Sequence, residues 1–270
     1  MLGILVLLCV LPLASSLSLP LSGSSSKIRA LSLDVTGTLL ATKEPVIKSY
    51  HDAALWAQLP DPPTQDEMKK GFKIAFKERC IESPCYGGVE GIAGREWWRE
   101  TVKRVLHHAK PDVKVSEQDF DRYFRRVYQH FGSPRGNEVL EDANNLLESQ
   151  RIVLPMLDIH NNFKWFACSQ DVKYEKPAME IFDAAFEEAK FWMPDLQKDE
   201  VLHIGDSYAA DYCGAKRFGF QALLLDRSDN PSVVAYQDWI EAPDYEGKSI
   251  EDVQLNTIKS LDEVVSMLSV

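Results

Sequence analysis

The chain has 270 residues with a hydrophobic fraction of 45%, which is enough to bury one sizeable core and to carry a smaller second domain. Its formal net charge of -11 excludes a general nucleic-acid-binding surface, because such a surface needs clustered cations that release the counterions of the phosphate backbone. The five cysteines show no zinc-type pairing and are interpreted as reduced or buried thiols. A disulfide between Cys80 and Cys85 is the alternative if the protein is secreted.

The first predicted element is an apolar run at residues 2–14, which is followed by a serine-rich spacer. The run is short for a membrane span and typical of a signal peptide, so residues 1–26 are predicted to be a targeting segment with its spacer. No positive charge precedes the run, so a retained anchor and a wrong start codon are alternatives. The prediction places the protein in the secretory pathway or an organelle, and the alternative location is the cytoplasm. No stretch outside this segment is predicted to span a membrane.

An apolar strand at residues 31–33 leads directly into Asp34 and a tight turn. A strand with so little polarity is typical of the interior of a parallel sheet, and the carboxyl ends of such strands form the edge where ligands bind. Gly37 allows the sharp turn beside the carboxylate. A carboxylate held there can attack a phosphoryl group or ligate magnesium, because both tasks need a hard anionic oxygen at a fixed point. The alternative is an aspartate that caps a turn.

Residues 42–135 are charged, rich in tryptophan and mostly helical in period, and they are predicted to form a separate helical domain. One of the two residues Trp97 and Trp98 is interpreted as packing between these helices, and lining of a substrate cavity is the alternative. Turn-forming residues at 132–136 predict the return of the chain to the first domain.

The second half of the chain carries further elements with polar residues at their ends. A strand at residues 201–204 is followed by a glycine and Asp206, and Asp211 lies five residues further on. Because Asp206 ends a predicted parallel strand, its carboxylate is expected at the same sheet edge as Asp34. Lys176 precedes a proline at which a helix is expected to start. The other predicted elements are helices at 138–149 and 261–268, a strand at 220–226, and an irregular acidic excursion at 229–254.

Three motifs, in this order along the chain, resemble those of the haloacid dehalogenase (HAD) superfamily. The first is Asp-Val-Thr-Gly-Thr-Leu, which begins at Asp34, and the second is Lys-Pro, which begins at Lys176. The third is Gly-Asp, whose aspartate is Asp206, followed by a second aspartate at Asp211. The likeness extends from residue 28 to the C-terminus and is strongest to the branch with a helical cap. It implies an α/β fold with a doubly wound parallel-sheet core at residues 28–41 and 136–270 and an inserted helical cap domain at residues 42–135.

The resemblance also implies roles for these residues in a magnesium (Mg2+)-dependent phosphatase. Asp34 would form an aspartyl-phosphate with a small phosphorylated metabolite, and Lys176 would neutralise the phosphate and the nucleophile. The metal ligands would be Asp34, the carbonyl of Thr36, Asp206 and Asp211, the last of them through water. Each of two residues also has an alternative without a catalytic role. Asp211 could lie in the first turns of a helix, where its negative charge interacts favourably with the helix dipole, and Lys176 could be a solvated lysine. The substrate, which the shape of the cap decides, and the oligomeric state are left open.

Two departures from the family pattern predict slow hydrolysis. Phosphatases of this superfamily carry an aspartate at the position of Thr36, where it protonates the leaving group, and loss of such catalysis forfeits about a hundred- to ten-thousandfold in rate. The pattern also requires a buried strand that ends in serine or threonine. Residues 152–154 are the candidate strand, and no hydroxyl side chain occurs between Arg151 and Ser169. The alternatives are a catalytically inactive binding protein and an incomplete gene model.

Overall fold

The computed structural model describes residues 27–149, 165–228, 253 and 255–268, together with the backbone of residues 7–17. The chain divides into two compact units. One is the segment Thr42–Glu138, and the other is formed by the described residues on both sides of it. The first unit is therefore inserted into the sequence of the second.

The inserted unit is helical. Its helices are α1 (Val46–Trp56), α2 (Gln65–Glu82), α3 (Gly94–Ala109) and α4 (Glu117–Phe131). The side chains of Thr64 and Ser116 accept hydrogen bonds from backbone amides in the first turns of α2 and α4, which stabilises the two helix starts. Trp97 and Trp98 are buried among aromatic side chains of this unit, and Trp97 Nε1 donates to the carbonyl oxygen of Ser83 at 2.7 Å. The prediction that one of them packs between helices is confirmed, and both are buried.

The cysteines of the described segments are present as thiols. Cys85 and Cys213 are buried, and Cys80 and Cys168 are half-buried. The interpretation of these cysteines as reduced or buried thiols is confirmed, and the alternative disulfide between Cys80 and Cys85 is not formed.

The second unit is built around a mixed sheet. Its strands are β1 (Leu7–Leu17), β2 (Ile28–Leu33), β5 (Trp165–Cys168), β6 (Val201–Gly205), β7 (Gln221–Leu225) and β8 (Thr257–Ile258), and a separate pair is formed by β3 (Leu40–Thr42) and β4 (Asn137–Val139). Among the described residues, the large sheet has the order β5-β1-β2-β6-β7-β8. The predicted parallel arrangement is confirmed for β2, β6, β7 and β8, whereas β1 runs antiparallel to β2 and β5.

The strand β1 lies within residues 1–26, which the sequence predicts to be a targeting segment. It pairs with β2 on the side opposite to β6, from Cys9 beside Leu33 to Leu17 beside Ile28. The apolar run at residues 2–14 suits a strand as well as a signal peptide. The targeting role of residues 1–26 stays a prediction. The candidate strand at 152–154 lies outside the described residues.

Helices cover both faces of the sheet. They are α5 (Glu141–Ser149), α6 (Ser169–Val172), α7 (Met179–Trp192), α8 (Gly214–Phe218) and α9 (Leu261–Leu268). Side chains alternate between the faces of a strand, so Leu31 and Leu33 of β2 pack in one apolar cluster with residues of α5 and α9. Ala30 of β2 packs in the opposite cluster with residues of α7 and α8. The predicted doubly wound α/β fold is confirmed.

The remaining predicted elements are found at similar positions. The helix expected at 138–149 begins at Glu141, the strand expected at 220–226 spans Gln221–Leu225, and the closing helix spans Leu261–Leu268. The excursion expected at 229–254 lies outside the described residues apart from residue 253. None of the helices in the described segments has both the length and the apolar character needed to cross a membrane.

Candidate active site

Asp34 and Asp206 follow the carboxyl ends of two neighbouring parallel strands, β2 and β6. The amide of Asp34 donates to the carbonyl oxygen of Ile204 at 3.0 Å, so the two strands stay paired up to the site. Asp211 lies in the helical turn that follows β6. Asp34, Asp206 and Asp211 each offer a carboxylate oxygen, and these oxygens lie within 4.8 Å of one another. The strand ends thus bring the predicted aspartates together.

Two glycines make room for this cluster. Gly37 has a φ of +87°, and a Cβ atom there would lie 2.2 Å from Asp206 Oδ2. At Gly205 a Cβ atom would lie 2.2 Å from the Cγ of Asp211. Because any side chain at these positions would displace a carboxylate, both positions require glycine.

Lys176 reaches the cluster from the segment between α6 and α7. Its Nζ donates to Asp34 Oδ1 at 2.5 Å and also to Asp211 Oδ1. The exposed fraction of the side chain is 3% for Lys176, 10% for Asp34 and 2% for Asp211. The alternative of a solvated lysine is therefore wrong. Removing one partner of such a buried ion pair is strongly destabilising, since it leaves an uncompensated charge.

Burial opposes ionisation of all three carboxylates. It raises the pKa of Asp34 to about 6, although the charge of Lys176 acts in the opposite direction. Burial, followed by the charges of Asp34 and Asp211, raises the pKa of Asp206 well above its usual range. For Asp211, burial is outweighed by the charge of Lys176 and the hydrogen bond from His203, which hold its pKa below the usual range. A cluster with this excess of acidic groups favours an added cation.

The donor set fits a divalent metal ion. Asp34 Oδ2 is buried and has no hydrogen-bond partner among the described residues. An anionic oxygen in that state is costly, and carboxylate oxygens are the ligands that Mg2+ prefers. Asp211 differs, because its Oδ1 accepts from Lys176 and His203 while its Oδ2 accepts from a backbone amide. Asp34 and Asp206 are therefore the candidates for direct ligation, and Asp211 is suited to a supporting position.

Thr36 lies in the turn after Asp34 and is half-buried. It forms an isolated bridge with Leu40, and the amide of Gly37 donates to the carbonyl oxygen of Leu40 at 2.8 Å. Its hydroxyl is no substitute for a carboxylic acid at neutral pH, because its proton is far too weakly acidic. Ligation of a metal by the Thr36 carbonyl stays a prediction.

A doubly wound sheet with aspartates at two neighbouring strand ends, one of them paired with a buried lysine, defines a class of α/β proteins with an acidic site at the carboxyl edge. The chain belongs to the haloacid dehalogenase-like hydrolase family, whose family model matches residues 28–219. The resemblance recognised from the motifs is thereby confirmed.

Individual relatives support this membership. Haloacid dehalogenase-like hydrolase domain-containing protein 3 from Danio rerio is 26% identical over 219 residues, which cover 75% of this chain and 86% of the relative. The Homo sapiens protein of the same name is 25% identical over 221 residues, which cover 74% of this chain and 82% of the relative.

Solved structures show the same fold. A 2-haloacid dehalogenase from Pseudomonas syringae pv. tomato has a TM-score of 0.52 at 16% identity and covers 86% of this chain and 94% of its own. The putative HAD-hydrolase YfnB from Bacillus subtilis, solved bound to magnesium, has a TM-score of 0.51 at 17% identity and covers 89% of this chain and 97% of its own. At these identities the likeness establishes the fold and leaves the substrate undefined.

Sequence patterns leave four polar residues near the site without a role: Ser32, Asp142, His203 and Arg227. Ser32 and His203 each lie between apolar neighbours in a strand, and this is the signal that could have identified them. Asp142 and Arg227 give no comparable signal, because a charged residue in a helix start or after a strand is usually solvated. Their partners become apparent only in the folded chain.

Arg227 bonds the loop that follows Asp34. Its Nη1 donates to the carbonyl oxygen of Gly37 at 2.6 Å, and its Nη2 donates to that of Thr38 at 3.0 Å. Its Nε and Nη2 also donate to both carboxylate oxygens of Asp142, at 2.8 to 3.0 Å. Since the Arg227 side chain is 3% exposed, this network joins the loop, the start of α5 and the end of β7 away from water.

Replacing Arg227 with methionine is expected to lower the free energy of unfolding by about 3 to 5 kcal/mol, because the Asp142 carboxylate and two carbonyl oxygens lose the charged donor that Arg227 supplies. Equilibrium unfolding in urea measures this loss. The matched control is Arg29→Met, since Arg29 is 31% exposed and pairs with Asp195 and Glu200 at the surface. This control should cost at most about 1 kcal/mol. Equal losses in the two variants would contradict the importance of the buried network.

Proposed function

We propose that this protein is a magnesium-dependent phosphatase that hydrolyses a small phosphorylated metabolite through an aspartyl-phosphate on Asp34. The proposal rests mainly on the Asp34 carboxylate, which has one oxygen bonded to Lys176 and a second, buried oxygen that no described residue contacts by a hydrogen bond. Membership of a hydrolase family and the magnesium bound by YfnB agree with it. The helical unit Thr42–Glu138 is proposed to be the cap that selects the metabolite.

The metal would be held by Asp34 and Asp206, with the Thr36 carbonyl and a water-mediated contact to Asp211 as further support. When bound, magnesium supplies positive charge that stabilises the negative oxygens of the transferring phosphoryl group. Asp34 and Asp206 are suited to holding it, because their carboxylates converge and neither can ionise without cost while the other is charged. Lys176 supplies a second, permanent positive charge from the protein.

The chain's own residues define two steps. In the first step, one oxygen of the ionised Asp34 carboxylate forms a bond to phosphorus as the bond from phosphorus to the leaving oxygen breaks. The leaving oxygen takes its proton from water, because Thr36 carries no acid. A water molecule then attacks phosphorus, the bond to Asp34 breaks, and inorganic phosphate and the free carboxylate are restored. Lys176 holds Asp34 Oδ1 in place through both steps.

Slow turnover is part of the proposal. The position of Thr36 lacks the acid and base that speed both steps in phosphatases of this superfamily, a loss of about a hundred- to ten-thousandfold. A hydroxyl donor to the phosphoryl oxygen is also missing from the sequence between Arg151 and Ser169, and one such donor is worth about a hundred- to a thousandfold. We therefore expect measurable hydrolysis at a rate well below that of a complete site.

The testing experiment measures release of phosphate from p-nitrophenyl phosphate and from a panel of sugar and nucleotide phosphates. Release is expected with magnesium and is expected to stop with EDTA. Folding is checked by near-ultraviolet circular dichroism in both conditions. Absence of release by folded protein, at enzyme concentrations that detect one turnover per hour, would overturn the proposal. The transcript across codons 149–155 should be sequenced first, since an omitted exon would explain why the sequence there lacks a hydroxyl side chain.

The second candidate is a catalytically inactive family member that binds a phosphate-bearing ligand. Thr36 and the missing hydroxyl favour it, because they remove groups needed for turnover and leave Asp206 and Lys176 in place. Magnesium-dependent stabilisation by phosphate esters, in a protein that releases no phosphate, would support this candidate. The two functions therefore differ in turnover and agree in metal binding.

Replacing Asp206 with asparagine is expected to raise the melting temperature of the metal-free protein. Its pKa is raised in the folded state, so at neutral pH folding must either bury the charge or take up a proton, and both lower stability. The neutral amide removes this cost. The same variant is expected to lose most of the stabilisation that magnesium gives the wild type, because stabilisation follows affinity. Thermal unfolding with and without magnesium chloride measures both effects, and an unchanged response to magnesium would contradict the ligand assignment.

A further inference from the structure

Two polar side chains lie side by side within the apolar strands that carry the site. Ser32 of β2 and His203 of β6 are register partners, and both are fully buried. Ser32 Oγ lies 2.9 Å from His203 Nδ1, within hydrogen-bond distance. They lie on the sheet face that α7 covers, where the ring of Phe182 meets the His203 imidazole edge to face at a centroid distance of 5.4 Å. Burying this polar pair costs desolvation free energy, which apolar side chains in the same space would not incur. We therefore expect the pair to have a role.

The second ring nitrogen of His203 points to the cluster. His203 Nε2 lies 3.0 Å from Asp211 Oδ1, and the Asp211 carboxylate also accepts from the Lys176 ammonium and from the backbone amide of Ser207. An ionised carboxylate only accepts hydrogen bonds, so Nε2 must carry the proton. The ring is fully buried against Phe182, and in a neutral imidazole protonated at Nε2 the Nδ1 atom is an acceptor. The Ser32 hydroxyl therefore donates to Nδ1 and selects the tautomer that donates to Asp211.

Through Asp211, the fixed orientation of the His203 ring also restrains Lys176 beside Asp34. The oxygen that accepts from His203 also accepts from Lys176 Nζ, and the same Nζ donates to Asp34 Oδ1. A carboxylate oxygen with two fixed donors has little freedom to rotate, and a lysine that bridges two fixed carboxylates has little freedom to leave. The hydrogen-bonded chain thus runs from Ser32 to Asp34 entirely through buried side chains.

We propose that Ser32 and His203 are positioning residues that hold Asp211 and, through it, keep Lys176 beside Asp34. The catalytic part of this inference rests on the proposed phosphatase function, whereas the structural part does not depend on it. Neither residue touches the phosphoryl group. Their effect is to keep the ammonium of Lys176 at the place where the charge of the transferred group develops.

The first test is spectroscopic and needs no activity. Long-range proton–nitrogen correlation spectra of the imidazole rings, with His203→Gln used for assignment, are expected to show the tautomer protonated at Nε2. A tautomer protonated at Nδ1 would overturn the proposal. The ammonium signal of Lys176, assigned with Lys176→Arg, is expected to be protected from exchange in the wild type. It should shift or disappear in His203→Leu and persist in His203→Gln, whose side-chain amide can still donate to Asp211.

The second test is kinetic. His203→Leu is expected to lower kcat for p-nitrophenyl phosphate by about 10- to 100-fold, as is usual when a supporting partner of a site residue is lost. His203→Gln should recover most of this loss, which a purely structural role would not predict. His108→Leu is the control, because His108 pairs with Glu78 within the helical unit and should leave kcat unchanged. Equal losses in His203→Leu and His203→Gln would overturn the proposal.

Ser32→Ala keeps the inference testable if His203→Leu fails to fold, because it removes one hydroxyl and little volume. It is expected to shift the Lys176 ammonium signal and to lower kcat by about tenfold. An unchanged ammonium signal in a folded Ser32→Ala protein would overturn the pairing, even if the wild type hydrolyses phosphate esters. Conversely, a wild type without turnover would refute the proposed function, and the Lys176 signal would still decide the pairing.

Discussion

Replacing Asp34 with asparagine is expected to reduce magnesium-dependent phosphate release to background, a loss of more than about a thousandfold. The amide has nearly the same shape as the carboxylate, so it fits the same buried space at the end of β2. It lacks the negative charge that makes the oxygen a nucleophile, and it replaces one acceptor with a donor. Release of p-nitrophenol and of inorganic phosphate by the wild type and the variant measures the effect.

The matched control is Asp226→Asn. Asp226 follows the neighbouring strand β7, and its carboxylate pairs with Lys259 at 2.6 Å, where both side chains are 41% or more exposed. Its replacement is expected to leave the rate of hydrolysis unchanged. Asp34→Asn protein that is folded and hydrolyses at the rate of the wild type would show that another group performs the chemistry.

Replacing Thr36 with aspartate is expected to raise the rate of hydrolysis by about a hundredfold or more. Thr36 lies two residues beyond Asp34 in the turn at the sheet edge and is half-buried, and we expect a carboxyl group there to reach the reacting centre. As an acid it would protonate the leaving oxygen, and as a base it would activate the attacking water. Steady-state kinetics with the best substrate of the panel, at saturating magnesium, give the change in kcat.

The control for this variant is Thr36→Asn, which has the size of aspartate and no titratable proton. It is expected to leave kcat close to the wild-type value. A rise in both variants would indicate a change in packing or loop position, since only aspartate can transfer a proton. No rise in either would place the limitation elsewhere, and the missing hydroxyl donor is then the first candidate.

The elements that carry the motifs could be predicted because their patterns are local. A run of apolar residues that ends in an aspartate indicates a buried strand with a polar end, and both β2 and β6 have this form. Parallel strands present their carboxyl ends at one edge, so the meeting of Asp34 with Asp206 followed from the strand assignment. The helical unit was predictable for the same reason, because its period is that of amphipathic helices.

The place of residues 7–17 could not be predicted in this way. Their apolar pattern suits a signal peptide and a buried strand equally. The pattern of hydrophobicity along the chain also does not indicate which other strand they pair with. The choice depends on the free edge of β2, to which β1 pairs antiparallel, and on β5, which lies more than 140 residues away in sequence. Such long-range pairing is decided by the whole sheet.

By itself, the sequence determined the class of fold, the order of the motifs and the type of chemistry that Asp34, Lys176 and Asp206 suit. These depend on residue type and local period, which each segment carries alone. The tertiary structure decided which polar groups become partners: Ser32 with His203 across 171 residues, and Arg227 with Gly37 across 190. The physical reason is that a pattern along the chain encodes burial, whereas a hydrogen bond between buried groups needs a register and an orientation that exist only once the strands have paired.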